Sequence, residues 1–459
     1  MDLSAIVLAA GRGERLGADK AHVELGGATA IERVCAHLRE LACDEVLVVR
    51  RQGAAPLPAG LDVERIDCDT DAMLETLRAA WRARRATLRA RVLVFPIDYA
   101  MVRADTLRTL LSGGAPITLP LCRGRVGHPL VLAREVLAEI DDPAIQSLRD
   151  VIRREPSRVG VVEVEDGFVL RDIDTPADLL AARGVLANAV PATELLARHR
   201  SRRAWRDEAV GDAQLRWLVD SARRSATSSF IQAASVVAVR DRATKERIAA
   251  LCSDQAQIRE APVFLAIVAD LRRIARACER SGRRMNADTL EVFVEATIDA
   301  TIVGQSLALA AESEGLGTCM IGAARNHPRD LAALLGLPRH AFVVFGMALG
   351  WPADDPLPRE RLPLDAVLHD ERYDDTRTDT ALAAADEALR AWARRSNERA
   401  SPGTRRIDEA RGWSDRMAFL FGGDRPHKGR QNLGPELREM GFGLDGVSGR
   451  DSCGGIEGS

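Results

Sequence analysis

Three short apolar runs constrain this chain most: "AIVLAA" (5–10), "EVLVVR" (45–50) and "RVLVFP" (91–96). Each is short for a helix and too continuously apolar for a strand with one wet face, so each reads as a strand covered on both sides. Amphipathic helical stretches, "AIERVCAHLREL" (30–41) and "AMLETLRAAWRARR" (72–85), lie between them. Strand–helix alternation with short connections predicts a doubly wound α/β domain with a mostly parallel sheet over residues 1–188.

From about residue 190 the rhythm changes. The stretch 287–317 is apolar over several helical turns and closes on Gly315 and Gly317, while "ASVVAVR" (234–240), "VFLAIVA" (263–269) and "AFVVFGMALG" (341–350) read as strands. This predicts a second, α+β domain over 189–395, an extension over 396–445 and a disordered Gly/Ser-rich tail over 446–459. A chain of 459 residues has room for such a division.

Lys+Arg is 64 against Asp+Glu 67, which argues against a general nucleic-acid binder. No uninterrupted apolar stretch reaches the ~18 residues of a membrane span, and the N-terminus lacks the basic n-region of a signal peptide. The eight cysteines show no C-x-x-C pair and no zinc spacing, so reduced, buried thiols and a cytoplasmic location are expected.

Two stretches carry the chemistry. "LAAGRGERLGADK" (8–20) follows the first strand directly. Gly11 and Gly13 let backbone amides cradle an anion, and Arg12, Arg15 and Lys20 add positive charge, so a triphosphate suits the turn. The spacing is neither a Walker A loop nor a dinucleotide fingerprint. The second stretch, "RHRSRRAW" (198–205), packs guanidinium forks around Ser201. A solvated basic face is the usual meaning of such a run, but a hydroxyl among arginines also suits a terminal phosphate.

The first half resembles the MobA-like nucleotidyltransferases, in particular the molybdenum-cofactor cytidylyl- and guanylyltransferase branch, whose L-A-A-G-x-S-x-R-M-G-x-x-K opening it matches except at Gly13 and Leu16. That resemblance implies that Leu8, Ala9, Ala10, Gly11, Arg12, Gly13, Arg15 and Lys20 hold a nucleoside triphosphate (CTP or GTP), with Lys20 on the transferring phosphoryl oxygens. "VLVFPIDYAMV" (92–102) and "RDIDTPADL" (171–179) are similar to the family's magnesium-binding segments, which implies Mg²⁺ at Asp98, Asp172 and Asp174. "GHPLVL" (127–132) matches the segment by the acceptor pocket. Tyr99 and Ala100 depart from the family's His and Pro, and "DAMLETL" (71–77) lacks its nucleotide-contacting Ser, which leaves base and acceptor open.

The second half resembles the FMN-dependent nitroreductases, closest to the oxygen-insensitive, NADPH-preferring group, whose H-R-S-x-R-x-F opening matches His199, Arg200, Ser201 and Arg203, with Trp205 for Phe. "SARRSATSSFIQ" (221–232), "SDQAQIREAP" (253–262), "ESEGLGTCMIGAARN" (312–326) and "FGMALGWPADDPLPRERLP" (345–363) continue the match. They imply FMN contacts from Thr227, Gln255, Met320, Ile321, Gly322, Ala323, Arg359 and Arg361. "WARRSN" (392–397) implies that Arg394 meets the 2′-phosphate of NADPH, with NADH the other possible donor. The resemblance also implies a homodimer formed through this domain, with helix 287–317 in its core. The expected protein is thus a fusion acting on small molecules, with neither nucleic acid nor membrane as partner. The other reading keeps the reductase and makes the first half a nucleotide-binding sensor.

Overall fold

The computed structural model describes residues 2–70, 72–287, 289–400, 406–423 and 430–444; the expected tail at 446–459 lies outside the described residues. The chain divides into two compact units, Met1–Ala189 with Gly211–Trp217, and Val190–Val210 with Leu218–Ser459.

The first unit is built on an eight-stranded sheet. Its main path runs Val159–Glu163, Ile117–Cys122, Leu130–Ala133, Arg91–Pro96, Leu3–Ala9, Glu45–Arg51, Glu64–Cys68, with Arg125–Val126 paired beside Ile117–Cys122. Leu3–Ala9 is parallel to both its neighbours, whereas Leu130–Ala133 runs antiparallel to both of its own. The central strand is buried along its whole length because alternate residues serve two cores. Leu3, Ala5, Val7 and Ala9 join one apolar cluster, Ile6 and Leu8 the other. The chain leaves Leu3–Ala9 for Glu45–Arg51 on one side and returns to Arg91–Pro96 on the other. Such a reversal opens a crevice at the carboxyl ends of the strands, where open α/β sheets bind ligands.

The second unit holds a four-stranded antiparallel sheet, ordered Ala234–Val239, Val263–Asp270, Ala341–Gly350, Gly317–Ile321. Helix Leu290–Ser313 packs on it, burying Ala296, Ala300, Leu307, Ala308 and Ala311. Gly304 sets the closeness of that contact, since a Cβ there would come within 2.4 Å of the Phe345 ring. This helix is long and apolar enough to cross a membrane by length and composition. Yet Asp299 lies at its middle, 1% exposed, accepting from Thr227 Oγ1 (2.5 Å) and the amides of Ser228 (3.0 Å) and Ala233 (2.9 Å). Each donor comes from the loop before the first strand of this sheet, so the carboxylate ties loop to helix.

The described cysteines are free. Burial pushes the Cys35 and Cys43 thiols up to about 11 and Cys252 to about 12, which leaves them protonated and unreactive near neutral pH.

Candidate functional sites

At the crevice of the first unit, backbone geometry fixes the glycine-rich turn. Gly13 has φ of +64°, and a Cβ there would stand 1.9 Å from the Ala18 carbonyl oxygen. The amides of Leu16 and Gly17 both donate to the Gly13 carbonyl, at 3.0 and 2.8 Å. In this chain's turn a side chain at position 13 has no room, so glycine is required. Leu8, Ala9 and Ala10 are buried, so only their backbone is available to a ligand.

Behind the turn stands a residue that sequence reasoning missed. Arg50, 1% exposed at the end of its strand, donates to the Ala9 carbonyl (3.0 Å) and forks onto Asp19 (Nη1–Oδ1 3.0 Å, Nη2–Oδ2 2.5 Å). Asp19 also accepts from the Ala21 amide (3.1 Å), capping the short helix that begins at Lys20. Burial raises the pKa of Asp19, but the Arg50 guanidinium outweighs it and holds the carboxyl below its usual range. An arginine ending an apolar run reads as surface, so the only available signal was its place opposite Ala9, which strand register supplies.

Lys20 reaches two of three clustered acids. Its Nζ lies 3.3 Å from Asp98 Oδ2 and bonds Asp174, which also pairs with Arg15. Asp98, Asp172 and Asp174 each offer an oxygen within 4.8 Å of the others. Asp98 stands in the turn that ends strand Arg91–Pro96, and its carbonyl accepts from the Ile173 amide at 2.9 Å, stitching the two acidic segments together. Asp174 precedes a helix whose start explains "DTPAD": Thr175 caps it, Pro176 takes the first turn, and Asp178 completes the capping box. Burial raises the pKa of Asp98, with Lys20 opposing; burial and then Asp174 raise that of Asp172. Burial also disfavours the charge of Lys20, but Asp174 and Asp98 win and raise its pKa. Asp98 Oδ1 is buried without a hydrogen-bond partner. Arg12 is exposed, 3.9 Å from Glu14. The Tyr99 ring lies beside His128, tilted by 47° with centroids 5.0 Å apart, and burial lowers the pKa of that imidazole.

His128 also lines a cavity of about 780 Å³, with Met73, Leu74, Leu119, Leu130, Ile152, Arg149 and Arg153 among its walls.

In the second unit, His199, Arg200, Ser201, Arg203, Arg359 and Arg361 line one cavity of about 210 Å³ with Trp392. Arg200 pairs with Asp355, which also binds Arg202 at 3.0 Å, while His199 Nδ1 meets Glu312 at 2.7 Å. Arg359 lies over the Trp392 ring, 4.3 Å from its centroid. The Arg200 Nε is buried and unpartnered. Two expected contacts are differently placed. Thr227 gives its hydroxyl proton to Asp299 and accepts from the Gln232 amide (2.8 Å), leaving acceptor capacity only. The Gln255 amide is engaged internally, by the Cys252 carbonyl (2.9 Å) and Gln257 Nε2 (2.5 Å). Met320 and Ile321 end the edge strand, the first 42% exposed and the second buried, and Gly322 and Ala323 open the turn that follows. Arg394 is ion-paired with Glu387 at 2.8 Å and does not line this cavity.

Residues 196–351 match the nitroreductase family and 359–445 match its C-terminal domain. The oxygen-insensitive NADPH nitroreductase of Salmonella typhimurium is 37% identical over 199 residues, 43% of this chain and 81% of that protein. The chain belongs to the nitroreductase family. Its nitroreductase half also aligns with the FMN reductase [NAD(P)H] of Bacillus subtilis, 34% identical over 246 residues, 53% of this chain and 92% of that one. The solved structure of the hypothetical oxidoreductase YcnD from Bacillus subtilis superposes with a TM-score of 0.51 at 31% identity, covering 55% of this chain and 98% of that chain. Residues 5–159 match the MobA-like NTP transferase domain, so a MobA-like domain is fused ahead of the nitroreductase. Lys20 and Asp98 fall inside that match; Asp172 and Asp174 lie beyond it and are joined to it by the fold.

Proposed function

We propose that this chain is a bifunctional enzyme with borders at 1–188, 189–395 and 396–445. Its nitroreductase half is an FMN-dependent NAD(P)H oxidoreductase acting on nitro- or quinone-like small molecules. Its MobA-like half transfers a nucleotidyl group from an NTP, CTP or GTP, to a small phosphorylated or cofactor-like acceptor with Mg²⁺.

The observation that carries the reductase is the cavity uniting His199, Arg200, Ser201 and Arg203 with Arg359 and Arg361 from a distant segment. Four guanidiniums, a hydroxyl and the orphaned Arg200 Nε fit a phosphate monoester. When bound, the flavin supplies the hydride chemistry. The chain's own part would be to hold it: Arg200, Arg203, Arg359 and Arg361 would take the phosphate, and Thr227, Gln255 and the backbone of Met320, Ile321, Gly322 and Ala323 would meet the ring system. Arg394 leaves Glu387 for the 2′-phosphate of NADPH. No side chain of this half is assigned as an acid or base.

In the MobA-like half, Asp98, Asp172 and Asp174 would hold Mg²⁺. Three carboxylates with an unpartnered buried oxygen on Asp98 suit a hard cation. When bound, the ion supplies charge that screens the phosphates. Lys20 would stand at the transferring phosphoryl group, and Gly11, Arg12, Gly13 and Arg15 would hold the triphosphate.

Helix Leu290–Ser313 leaves Leu290, Val294 and Ile298 exposed (45, 37 and 49%), and we assign this flank to a second copy in a homodimer. Neither nucleic acid nor membrane is assigned as a partner. The cytoplasm is the location we assign, on cysteine usage.

Two measurements test the proposal. The purified protein should be yellow and bleach on anaerobic NADPH; a colourless protein that does not take up FMN removes the reductase. Pyrophosphate should be released from CTP or GTP only with Mg²⁺ and an acceptor extract; binding without release would leave the first half a nucleotide sensor.

A further inference from the structure

The glycine-rich turn of the first unit has a neck. Strand Leu3–Ala9 leads into residues 10–18, and Asp19 closes them as the cap of the short helix that begins at Lys20. Inside the turn the amides of Leu16 and Gly17 fold back onto the Gly13 carbonyl. A loop of this kind takes its shape largely from what holds its two ends.

Two ties hold this one. The first runs to the acid cluster, where Arg15 pairs with Asp174, and Lys20 with Asp174 and Asp98 (3.3 Å). These are the carboxylates assigned to magnesium, so a loaded site would give this tie up. The second is Arg50. Its Nη1 donates to the Ala9 carbonyl and to Asp19 Oδ1, both at 3.0 Å. Its Nη2 donates to Asp19 Oδ2 (2.5 Å) and to the Ala55 carbonyl (3.3 Å), on the loop that follows its own strand. Four terminal N–H groups thus meet four acceptors, with Ala9 on one side of the neck and Asp19 on the other. The side chain is 1% exposed, and neither terminal nitrogen keeps an N–H for a ligand. None of these acceptors belongs to the acid cluster, so this tie survives when the acids change partners.

We propose that Arg50 is a positioning residue of the first site. Its guanidinium clasps both ends of the glycine-rich turn, and so keeps the turn amides and Lys20 aimed at a triphosphate while the acids hold a metal ion. It touches neither the nucleotide nor the metal. The inference rests on the reading that this turn takes an NTP and the acids take Mg²⁺. A lysine at position 50 would keep the charge but offer one nitrogen in place of the fork, and could not span the neck.

The test compares the full-length protein with Arg50→Lys, first by amide hydrogen exchange with Mg²⁺ and no nucleotide. Residues 10–19 should exchange at least about tenfold faster in the variant, as expected of a local opening, while strand Leu3–Ala9 keeps its protection. A turn that exchanges as in wild type overturns the proposal. So does loss of protection in the strand as well, which would make Arg50 a residue of the fold alone. Calorimetry on the same samples then measures binding of CTP, GTP and their monophosphates. If wild type binds none of them, the nucleotide reading fails, and exchange still decides whether Arg50 shapes the turn. If it binds them, Kd for the triphosphate should rise at least about tenfold in Arg50→Lys, the loss of a well-placed anion contact. The monophosphates, with less for the turn to hold, should lose less. Equal losses for both, or an unchanged Kd for the triphosphate, overturn the clasp.

Discussion

The acid cluster of the first unit and the arginine cluster of the second handle charge in opposite ways. Lys20 and Arg15 are folded into Asp98 and Asp174, so positive and negative groups compensate one another. Around Arg359, burial and the like charges of Arg416, Arg203 and Arg361 act against its own charge, and its guanidinium lies over the Trp392 ring. A site for both a cation and a polyanion must contain both signs, and these pair with each other until ligands part them. In the second site only part of the positive charge is met in this way, Arg200 and Arg202 sharing Asp355, while Arg359 rests on packing.

The difference can be broken first at Lys20. Lys20→Ala should lower pyrophosphate release roughly 10²–10³-fold, the scale of one charge-stabilising donor at a reacting phosphoryl group, with NADPH oxidation unaltered. A drop below tenfold would mean that the lysine only balances the acids. Arg203→Ala should cost about 2 kcal/mol of FMN affinity, roughly thirtyfold in Kd by flavin titration; an unchanged Kd would show the arginines to be a solvated face.

Smaller effects sharpen the contrast. Asp19→Asn should destabilise the first unit by about 1.5 kcal/mol at pH 7, since Arg50 is buried and would lose a charged partner. Asp19 has its pKa lowered in the folded state, so its contribution is present above the unfolded value near 4 and is lost as pH falls through the lower folded value. Urea melts of wild type and variant should accordingly differ at pH 7 and converge in strong acid. Arg394→Ala should raise KM for NADPH about threefold and leave KM for NADH alone, a modest change for an exposed arginine with an acid beside it.

Much of this was legible in the chain because strands buried on both faces leave continuous apolar runs, and Leu3–Ala9 and Arg91–Pro96 are of that kind. Glu64–Cys68 and Val159–Glu163 were not, being short and mixed in polarity at the two ends of the sheet path. Motif order foretold that Asp98, Asp172 and Asp174 would meet, as it did the gathering of Arg200 with Arg359. It could not reveal Arg50, whose importance lies in cross-strand register, nor that the Thr227 proton is committed to Asp299.

The Asp299 contacts bear on the order of assembly. Its three donors come from residues 227–233, far from it along the chain. Seating the helix first would strand a carboxyl group in an apolar interior, and closing the loop first would leave its amides without an acceptor. Neither half-step is stable alone, so helix and loop should form as one cooperative block. Their amides would then exchange with solvent together, from a single opening event, rather than fraying from the loop inward.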